Sequence, residues 1–253
     1  MLIAADNLHG VDAAVAKAME ALDPAPIERL VRQCEDRGAD YIDINPGYLS
    51  PAKEDRMTFL VETVQKATNL PVILDSAHPR ILRRGLAACN QTPILSALTL
   101  EKAKIDELLP LAVESGAELT ILLLDEQSFS PCAMEEKIAL ATQLKEKAIR
   151  AGMLLENLIF DPVIPNLSWD DSFLRIGETI KTVRFLSTGA VFQEPVRTMA
   201  GLSNLRSGFR RFFPAQTEYV CLTLLAGAGL DILLCNVLNP ELKDTIAAIQ
   251  SYC

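Results

Sequence analysis

GADYIDINPG (residues 38–47) shows the plan on which this chain is built: a glycine, a short apolar run, and acidic and amide side chains where the run ends. Similar endings occur in PVILDS (71–76), LIFDPVIP (158–165) and AGLSN (200–204). In a (β/α)8 barrel the carboxyl ends of the strands form the active-site face. The pattern therefore predicts a group of carboxylate and amide side chains at one mouth. They are Asp43, Asn45, Asp75, Asp161 and Asn204.

Eight short apolar runs predict eight strands, and helical patterns fill the gaps between them. The runs are residues 2–5, 41–44, 72–75, 94–97, 119–124, 158–160, 197–200 and 231–235. The helical patterns include residues 26–38, 54–68, 79–89, 101–116, 134–152, 171–186, 217–226 and 240–252. Runs of Val, Ile and Leu without strict alternation indicate parallel strands that are buried on both faces. We therefore predict an α/β fold, a (β/α)8 TIM barrel in which residues 1–253 form one domain, which matches the typical barrel length of roughly 250 residues.

The composition excludes several classes of protein. A formal charge of −9 disfavours nucleic acid as the main partner, because phosphate binding requires a basic surface. No apolar run approaches the roughly 20 residues of a bilayer span, and the N-terminus lacks the basic region of a signal peptide. The six cysteines are scattered and form no CxxC pair, so we predict no metal site and reduced thiols in the cytoplasm.

Motifs for other chemistries are missing from the sequence. There is no GxxxxGK[ST] or GxGxxG phosphate loop and no GxSxG nucleophile elbow. His9 and His78 have no neighbouring Cys or His, which favours polar loop residues over metal ligands. Arg206 and Arg210 in SNLRSGFRRFFP follow the seventh predicted strand. They either meet an anionic group, such as the glutamate tail of a ligand or a partner surface, or belong to a solvated basic helix start.

The residue types at the predicted mouth suit a flat heterocycle with many hydrogen-bonding groups. Carboxylates accept hydrogen bonds from amino groups and ring N–H groups, and amides satisfy edges that mix donors and acceptors. Asp75 and Asp161 each follow three apolar residues, so rigid strands would hold both. For either aspartate alone, a structural cap explains the position as well as ligand contact does. Together with Asn45 and Asn204, the set favours binding of a pterin or a similar ring.

Six segments make the chain resemble a known family over essentially its whole length. In their order and spacing they are similar to the folate-binding methyltransferases of the pterin-binding barrel superfamily. The resemblance is strongest to the methyltetrahydrofolate:corrinoid protein methyltransferases of anaerobic bacteria, with the folate domain of cobalamin-dependent methionine synthase more distant. The segments are DPAPIERLVRQCEDRGADYIDINPG, NLPVILDS, LPLAVESGAELT, ENLIFDPVIP, GLSNLR and GLDILLCN.

The resemblance implies roles for individual residues. Asp75 and Asp161 match aspartates that hydrogen-bond the pterin. Asn204 matches an asparagine near N5 of the folate and is the expected catalytic residue. Asp43 and Asn45 match the DxN at the end of the second strand.

The chain also departs from the family pattern at three positions. Ser96 stands where the family usually has an asparagine that contacts the pterin, and Asp6 and His9 stand where the family often has Glu and Asn. A bridging water can replace the reach that the serine lacks. Ser96 is therefore included among the expected pterin contacts.

The resemblance also implies a reaction and a set of partners. The expected enzyme moves a methyl group between N5 of tetrahydrofolate and the cobalt of a corrinoid. The chain has no DxHxxG corrinoid motif, so the corrinoid is expected on a separate protein that docks over the mouth. The departures favour transfer toward tetrahydrofolate, as in an anaerobic demethylation system. A cytoplasmic homodimer is expected.

Two other functions remain open at this point. Dihydropteroate synthase shares the barrel and the pterin pocket, but such enzymes end with a basic RxH-type motif, whereas this chain ends IAAIQSYC. A non-catalytic folate-binding protein would keep the pterin contacts without turnover, and Ser96 is the feature that favours it.

Overall fold

Eight parallel strands close into a barrel in sequence order in the computed structural model, which describes residues 1–207, 214 and 216–251. Strand β8 pairs in parallel with β1, which closes the sheet. The predicted (β/α)8 barrel is therefore confirmed. The strands are β1 (Leu2–His9), β2 (Tyr41–Asn45), β3 (Val72–Asp75), β4 (Ile94–Leu98), β5 (Glu118–Leu122), β6 (Leu158–Asp161), β7 (Arg197–Gly201) and β8 (Ile232–Cys235).

Helices cover the outside of this barrel, and the predicted helical segments agree with them to within one or two residues. They are α1 (Ala13–Ala21), α2 (Pro24–Asp36), α3 (Asp55–Ala67), α4 (Pro79–Ala88), α5 (Lys102–Ser115), α6 (Met134–Ala151), α7 (Ser172–Ser187), α8 (Gln216–Gly227) and α9 (Pro240–Gln250). Helix α1 is an addition that the sequence analysis missed. Its N-cap is Asp12, whose carboxylate accepts from the backbone N–H groups of Ala14 and Val15. Among the residues described, no helix is both long and apolar enough to cross a membrane.

Strand β1 differs most from its predicted extent. The prediction ended it at Ala5, whereas the strand continues to His9. Its register against β2 shifts between Ala5 and Leu8, which marks an irregularity at this point. Such irregularities redirect side chains next to active sites. Asp6 falls within the shift and therefore belongs to the strand rather than to a loop.

Two layers of apolar side chains hold the barrel together. The outer layer is the large core between strands and helices, and it includes strand residues such as Leu74, Leu95 and Leu158. Burial on both faces explains why the strand sequences are continuously apolar. The inner layer is a separate cluster of buried side chains from six strands: Ala4, Ile73, Ile94, Ile159, Met199 and Ile232.

Polar groups at the amino end of the barrel are paired with one another. The Arg197 guanidinium donates to both carboxylate oxygens of Glu118, at 2.7 and 3.2 Å, and to the carbonyl of Glu156 at 2.9 Å. The Asp231 carboxylate accepts from the backbone N–H of Thr198 at 2.7 Å. These pairs tie β5, β6, β7 and the start of β8 together.

Candidate active site

A cavity of about 620 Å³ opens at the carboxyl end of the strands. It is bounded by β1, β2, β3, the segment after β7, helix α8 and the segment after β8. Polar side chains that line it include Asp6, Asp43, Asp75, Ser203, Asn204 and Glu218. The structure thus brings together three of the residues predicted for the mouth, namely Asp43, Asp75 and Asn204. Their roles remain predictions.

Asp75 at the end of β3 is held by an amide. Asn45 at the end of β2 donates from Nδ2 to Asp75 Oδ2 at 2.9 Å, while its Oδ1 accepts from the Gly47 N–H at 2.9 Å. Burial raises the pKa of Asp75 to about 6, and the hydrogen bond from Asn45 counteracts this effect. Asn45 does not line the cavity, and its hydrogen bond orients the Asp75 carboxylate.

Asp43 lies in the middle of β2 with only 2% of its surface exposed. Among the described residues, its Oδ1 atom has no hydrogen-bond partner. Burial, together with the nearby carboxyls of Asp75 and Asp6, raises the pKa of Asp43 well above its usual range. Buried polar atoms in native proteins normally have partners, so this oxygen keeps an unused capacity to accept a hydrogen bond.

Asp161 ends β6 and begins a tight turn. Its Oδ1 accepts from the backbone N–H of Val163 at 2.8 Å. Val163 has a φ of 62°, which a β-branched residue rarely adopts. Burial raises the pKa of Asp161 to about 7, partly offset by the Val163 hydrogen bond and the charge of Lys137. Asp161 is buried and lies outside the lining of the main cavity.

Asn204 lies in a short 3₁₀ helix (Leu202–Arg206) directly after β7. The loop after β6 anchors this helix, because Asn166 Nδ2 donates to the carbonyl of Asn204 at 3.1 Å and to that of Ser207 at 2.7 Å. Gly201 packs beside the Asn204 side chain, since a Cβ atom at this position would be in van der Waals contact with Asn204 Nδ2 at 3.4 Å. The Asn204 side chain is exposed and lines the cavity.

Asp6 is a site residue that the sequence analysis noted only as a departure from the family. Ser203 hydrogen-bonds to its carboxyl group, which connects Asp6 with the residue next to Asn204. Burial raises the pKa of Asp6 to about 6, and the nearby Glu218 adds to this effect. The signal in the sequence was an acidic residue after the apolar run of β1, but the strand was predicted to end before it.

Of the remaining predicted contacts, Ser96, Arg206 and Arg210, only Arg206 is found in the cavity lining among the described residues. Ser96 pairs in register with Asp75, and its carbonyl accepts from the Ser76 N–H at 3.1 Å, but it does not line the cavity. Arg206 lines the cavity, and its guanidinium lies 3.5 Å from the carboxylate of Glu218. Arg210 lies outside the described residues.

The site therefore combines several desolvated carboxyl groups with amide side chains, of which Asn204 and Asn236 are exposed. In the described part of the chain, no three His, Cys, Asp or Glu side chains are arranged to hold a metal ion. Carboxylates that accept few hydrogen bonds within the protein suit an uncharged ring that offers several N–H donors. The fold and the mouth together define a (β/α)8 barrel protein whose mouth offers several hydrogen-bond acceptors.

Comparison with known families identifies which class of such proteins this is. The family model described as pterin binding enzyme matches residues 12–236. The chain belongs to this family, as its resemblance to the superfamily predicted.

Individual relatives share only a modest fraction of their sequence with this chain. A methylcorrinoid:tetrahydrofolate methyltransferase of Eubacterium limosum is 26% identical over 253 residues, which covers 98% of this chain and 89% of the relative. The dihydropteroate synthase of Yersinia pestis in a sulfonamide drug complex has a TM-score of 0.68 at 16% identity, covering 99% of this chain and 93% of that one. The dihydropteroate synthase of Thermus thermophilus has a TM-score of 0.67 at 16% identity, covering 90% and 87%. At these identities the two synthases establish a shared fold.

Proposed function

We propose that this protein transfers a methyl group from the cobalt of a corrinoid, carried by a separate protein, to N5 of tetrahydrofolate. The observation that supports this most directly is the cavity that Asp43 and Asp75 share with Asn204. One side of it offers acceptors for the amino group and ring N–H of a pterin, and another offers an amide for the reacting nitrogen. The direction follows the name of the Eubacterium limosum relative, a methylcorrinoid:tetrahydrofolate methyltransferase.

The proposed pterin contacts combine residues that line the cavity with two, Asp161 and Ser96, that lie outside its lining and are assigned by the family resemblance. Asp75 and Asp161 accept from the ring edge, and the unpartnered Oδ1 of Asp43 accepts a further hydrogen bond. Asn45 holds Asp75 in place through its 2.9 Å hydrogen bond. Ser96, next to Asp75 on the adjoining strand, contacts the ring through a bridging water. Arg206 and Arg210 contact the glutamate tail or the partner protein.

The chemical step requires a positively charged state at N5. The lone pair of N5 attacks the methyl carbon, an N–C bond forms, and the C–Co bond breaks with both electrons left on cobalt as cobalt(I). N5 then carries its proton as well as the methyl group, until the proton leaves to water. The amide oxygen of Asn204 accepts a hydrogen bond from that N–H and stabilises the charge as it develops. The reverse reaction passes through the same state.

Exposed apolar residues around the mouth provide a surface for the corrinoid protein. Val11, Tyr48, Phe129 and Trp169 lie in the loops after β1, β2, β5 and β6, and all four are exposed. Exposed apolar residues grouped around an opening mark a surface for a partner. A variant with Tyr48→Ser and Phe129→Ser should lose transfer from its corrinoid protein but keep transfer from free methylcobalamin. Equal loss with both donors would contradict docking at this rim.

A homodimer is also proposed, with helices α7 and α8 as its interface. An apolar groove of about 480 Å³ separates them, lined by Phe173, Ile176, Ile180, Val220 and Leu224. Phe173 is 68% exposed and Val220 is 58% exposed. Two copies related by a two-fold axis would bury this face against itself. Light scattering of Val220→Glu should give a monomer where the unaltered protein gives a dimer, and a monomeric unaltered protein would contradict the proposal.

An anaerobic assay tests the proposed reaction. The protein is mixed with methylcobalamin and tetrahydrofolate, and cobalt(I) absorbance is followed while methyltetrahydrofolate is quantified. Protein-dependent formation of both products in equal amounts is expected. Folate binding without either product, with free methylcobalamin and also with a methylated corrinoid protein, would indicate a non-catalytic folate-binding protein.

A further inference from the structure

Lys137, in the first turns of α6, is a fully buried lysine with 2% of its surface exposed. Its Nζ atom donates to the carbonyl of Pro162 at 2.6 Å and to the hydroxyl of Ser130 at 2.6 Å. Lysine is almost never fully buried unless it is paired. The sequence analysis gave this residue no role, and the reaction proposed above does not use it.

The carbonyl that Lys137 holds belongs to the turn that carries Asp161. Val163, the third residue of this turn, is in the unfavourable left-handed region at a φ of 62°. Thr179 of α7 donates from its hydroxyl to the carbonyl of Val163 at 3.2 Å. Two side chains from two helices thus hold successive carbonyls of a strained turn. Strain of this kind persists only where surrounding contacts impose it.

The charged groups around Lys137 come from each neighbouring element. Asp161 at the end of β6 favours the charged lysine, Arg175 of α7 disfavours it, and the Cys132 thiol lies before α6. Burial is the largest effect and lowers the pKa of Lys137 to about 8. Glu178 of α7 also faces the start of α6, but it accepts from the Met134 N–H and pairs with Lys181.

The charge of Lys137 in turn acts on Asp161. Burial raises the pKa of Asp161, as does the carboxyl of Asp75, whereas Lys137 lowers it. The lysine therefore opposes the protonation that burial promotes. A protonated carboxyl cannot accept from two N–H donors as a carboxylate does.

We propose that Lys137 is a positioning residue for the pterin site, which holds the Asp161 turn in place through its hydrogen bond to the Pro162 carbonyl and favours the charged form of the Asp161 carboxyl. This inference rests on the proposed binding of folate, and it adds a residue from outside the cavity to that site. Thr179 is an uncharged counterpart of Lys137, because its hydroxyl donates to the Val163 carbonyl of the same turn and adds no charge near Asp161.

The test measures the dissociation constant of methyltetrahydrofolate against pH for the full-length protein and three variants. Lys137→Met removes both the charge and the hydrogen bonds, and Lys137→Gln removes the charge but keeps a donor. Thr179→Val removes one hydrogen bond of the turn and no charge. Both lysine variants should weaken binding about tenfold at pH 7. In both, the midpoint pH of the loss of affinity at low pH should rise by about one unit. Thr179→Val should weaken binding without moving that pH.

Titration of the Asp161 carboxyl by ¹³C NMR in the ligand-free variants provides an independent measurement. The pKa of Asp161 should rise in both lysine variants and stay unchanged in Thr179→Val. Folded lysine variants with an unmoved pH profile and an unmoved carboxyl titration would overturn the role of Lys137, while leaving folate binding by the unaltered protein intact. Failure of the unaltered protein to bind folate would instead overturn the proposed function, and this inference with it.

Discussion

The two ends of the barrel carry the same kinds of residues in different surroundings. At the amino end, Glu118 receives two hydrogen bonds from Arg197, and Asp231 accepts from the Thr198 N–H. At the carboxyl end, Asp75 receives one hydrogen bond from an amide, and Asp43 has an oxygen with no partner among the described residues.

This contrast distinguishes carboxylates that are paired within the protein from carboxylates that can still accept hydrogen bonds. A carboxylate that is fully hydrogen-bonded within the protein contributes to stability, whereas a buried one without donors costs stability. Burial is the largest cause of the raised pKa values of Asp6, Asp43 and Asp75 at the mouth, and the charge of Lys104 offsets it only in part at Asp75. Such groups are retained where a ligand supplies the missing donors, which fits the general location of barrel active sites at this end.

The largest effect is expected for Asn204→Ala. Loss of the amide that stabilises charge at N5 should reduce the methyl-transfer rate about 100- to 1,000-fold, as for the removal of one oxyanion-hole donor. Thermal stability should change little, because the Asn204 side chain is exposed. Folate affinity should change little, because the interaction strengthens only as charge develops at N5. Single-turnover kinetics with saturating folate would measure this. A variant that keeps the full rate would remove Asn204 from the mechanism.

A smaller effect is expected for Asp161→Asn, which should weaken folate binding about 10- to 100-fold, the value of one or two hydrogen bonds to a charged group. The new amide oxygen can still accept from the Val163 N–H, so the turn should be preserved. Calorimetric titration and thermal unfolding together test this. Unchanged affinity with a lower melting temperature would assign Asp161 to the structural carboxylates instead.

The same substitution should change how stability depends on pH. The pKa of Asp161 in the folded protein is about 7, above the ordinary aspartate value of 3.8. The folded state therefore binds the proton more tightly than the unfolded state, and the resulting stabilisation is lost as pH rises from about 4 through about 7. In the absence of ligand, the melting temperature of the unaltered protein minus that of Asp161→Asn should decrease by several degrees as pH rises over this range. A constant difference would contradict the raised pKa.

The smallest effect is expected at the amino end. Arg197→Met should lower the free energy of unfolding by about 1–2 kcal/mol, because it breaks the pair with Glu118 and a hydrogen bond to a carbonyl. Folate affinity should remain unchanged, since these residues lie at the opposite end of the barrel from the cavity. Urea unfolding and folate titration of the same variant would check both statements. Weakened folate binding in a fully folded variant would break the distinction between the two ends.

Much of the fold was predictable because most strands are buried on both faces and therefore contain a short apolar run. The predicted runs 72–75 and 94–97 fall on β3 and β4 almost residue for residue. Strand β1 was predicted too short, because the polar residues Asp6 and Asn7 follow its apolar start. A register shift against β2 lets the strand continue through them, and such a shift leaves no clear signal in sequence.

The candidate site was predictable only in part. Acidic residues after apolar runs correctly indicated that Asp43 and Asp75 lie at the mouth. That Asn45 orients Asp75 depends on side-chain geometry that spacing does not encode. Lys137 was missed because a lysine within a helix resembles a solvated residue, and its burial depends on how α6 packs over the turn after β6.

Calorimetric titration of methyltetrahydrofolate at about pH 6.5, in two buffers that differ in ionisation enthalpy, would test the role of the mouth carboxylates without any substitution. Asp75 and Asp161, with pKa values of about 6 and about 7, must lose protons to accept hydrogen bonds from the pterin. Saturable binding with net proton release is predicted, with less release in Asp161→Asn. Absence of binding, or binding without proton release, would contradict the claim that these carboxylates are kept for a pterin.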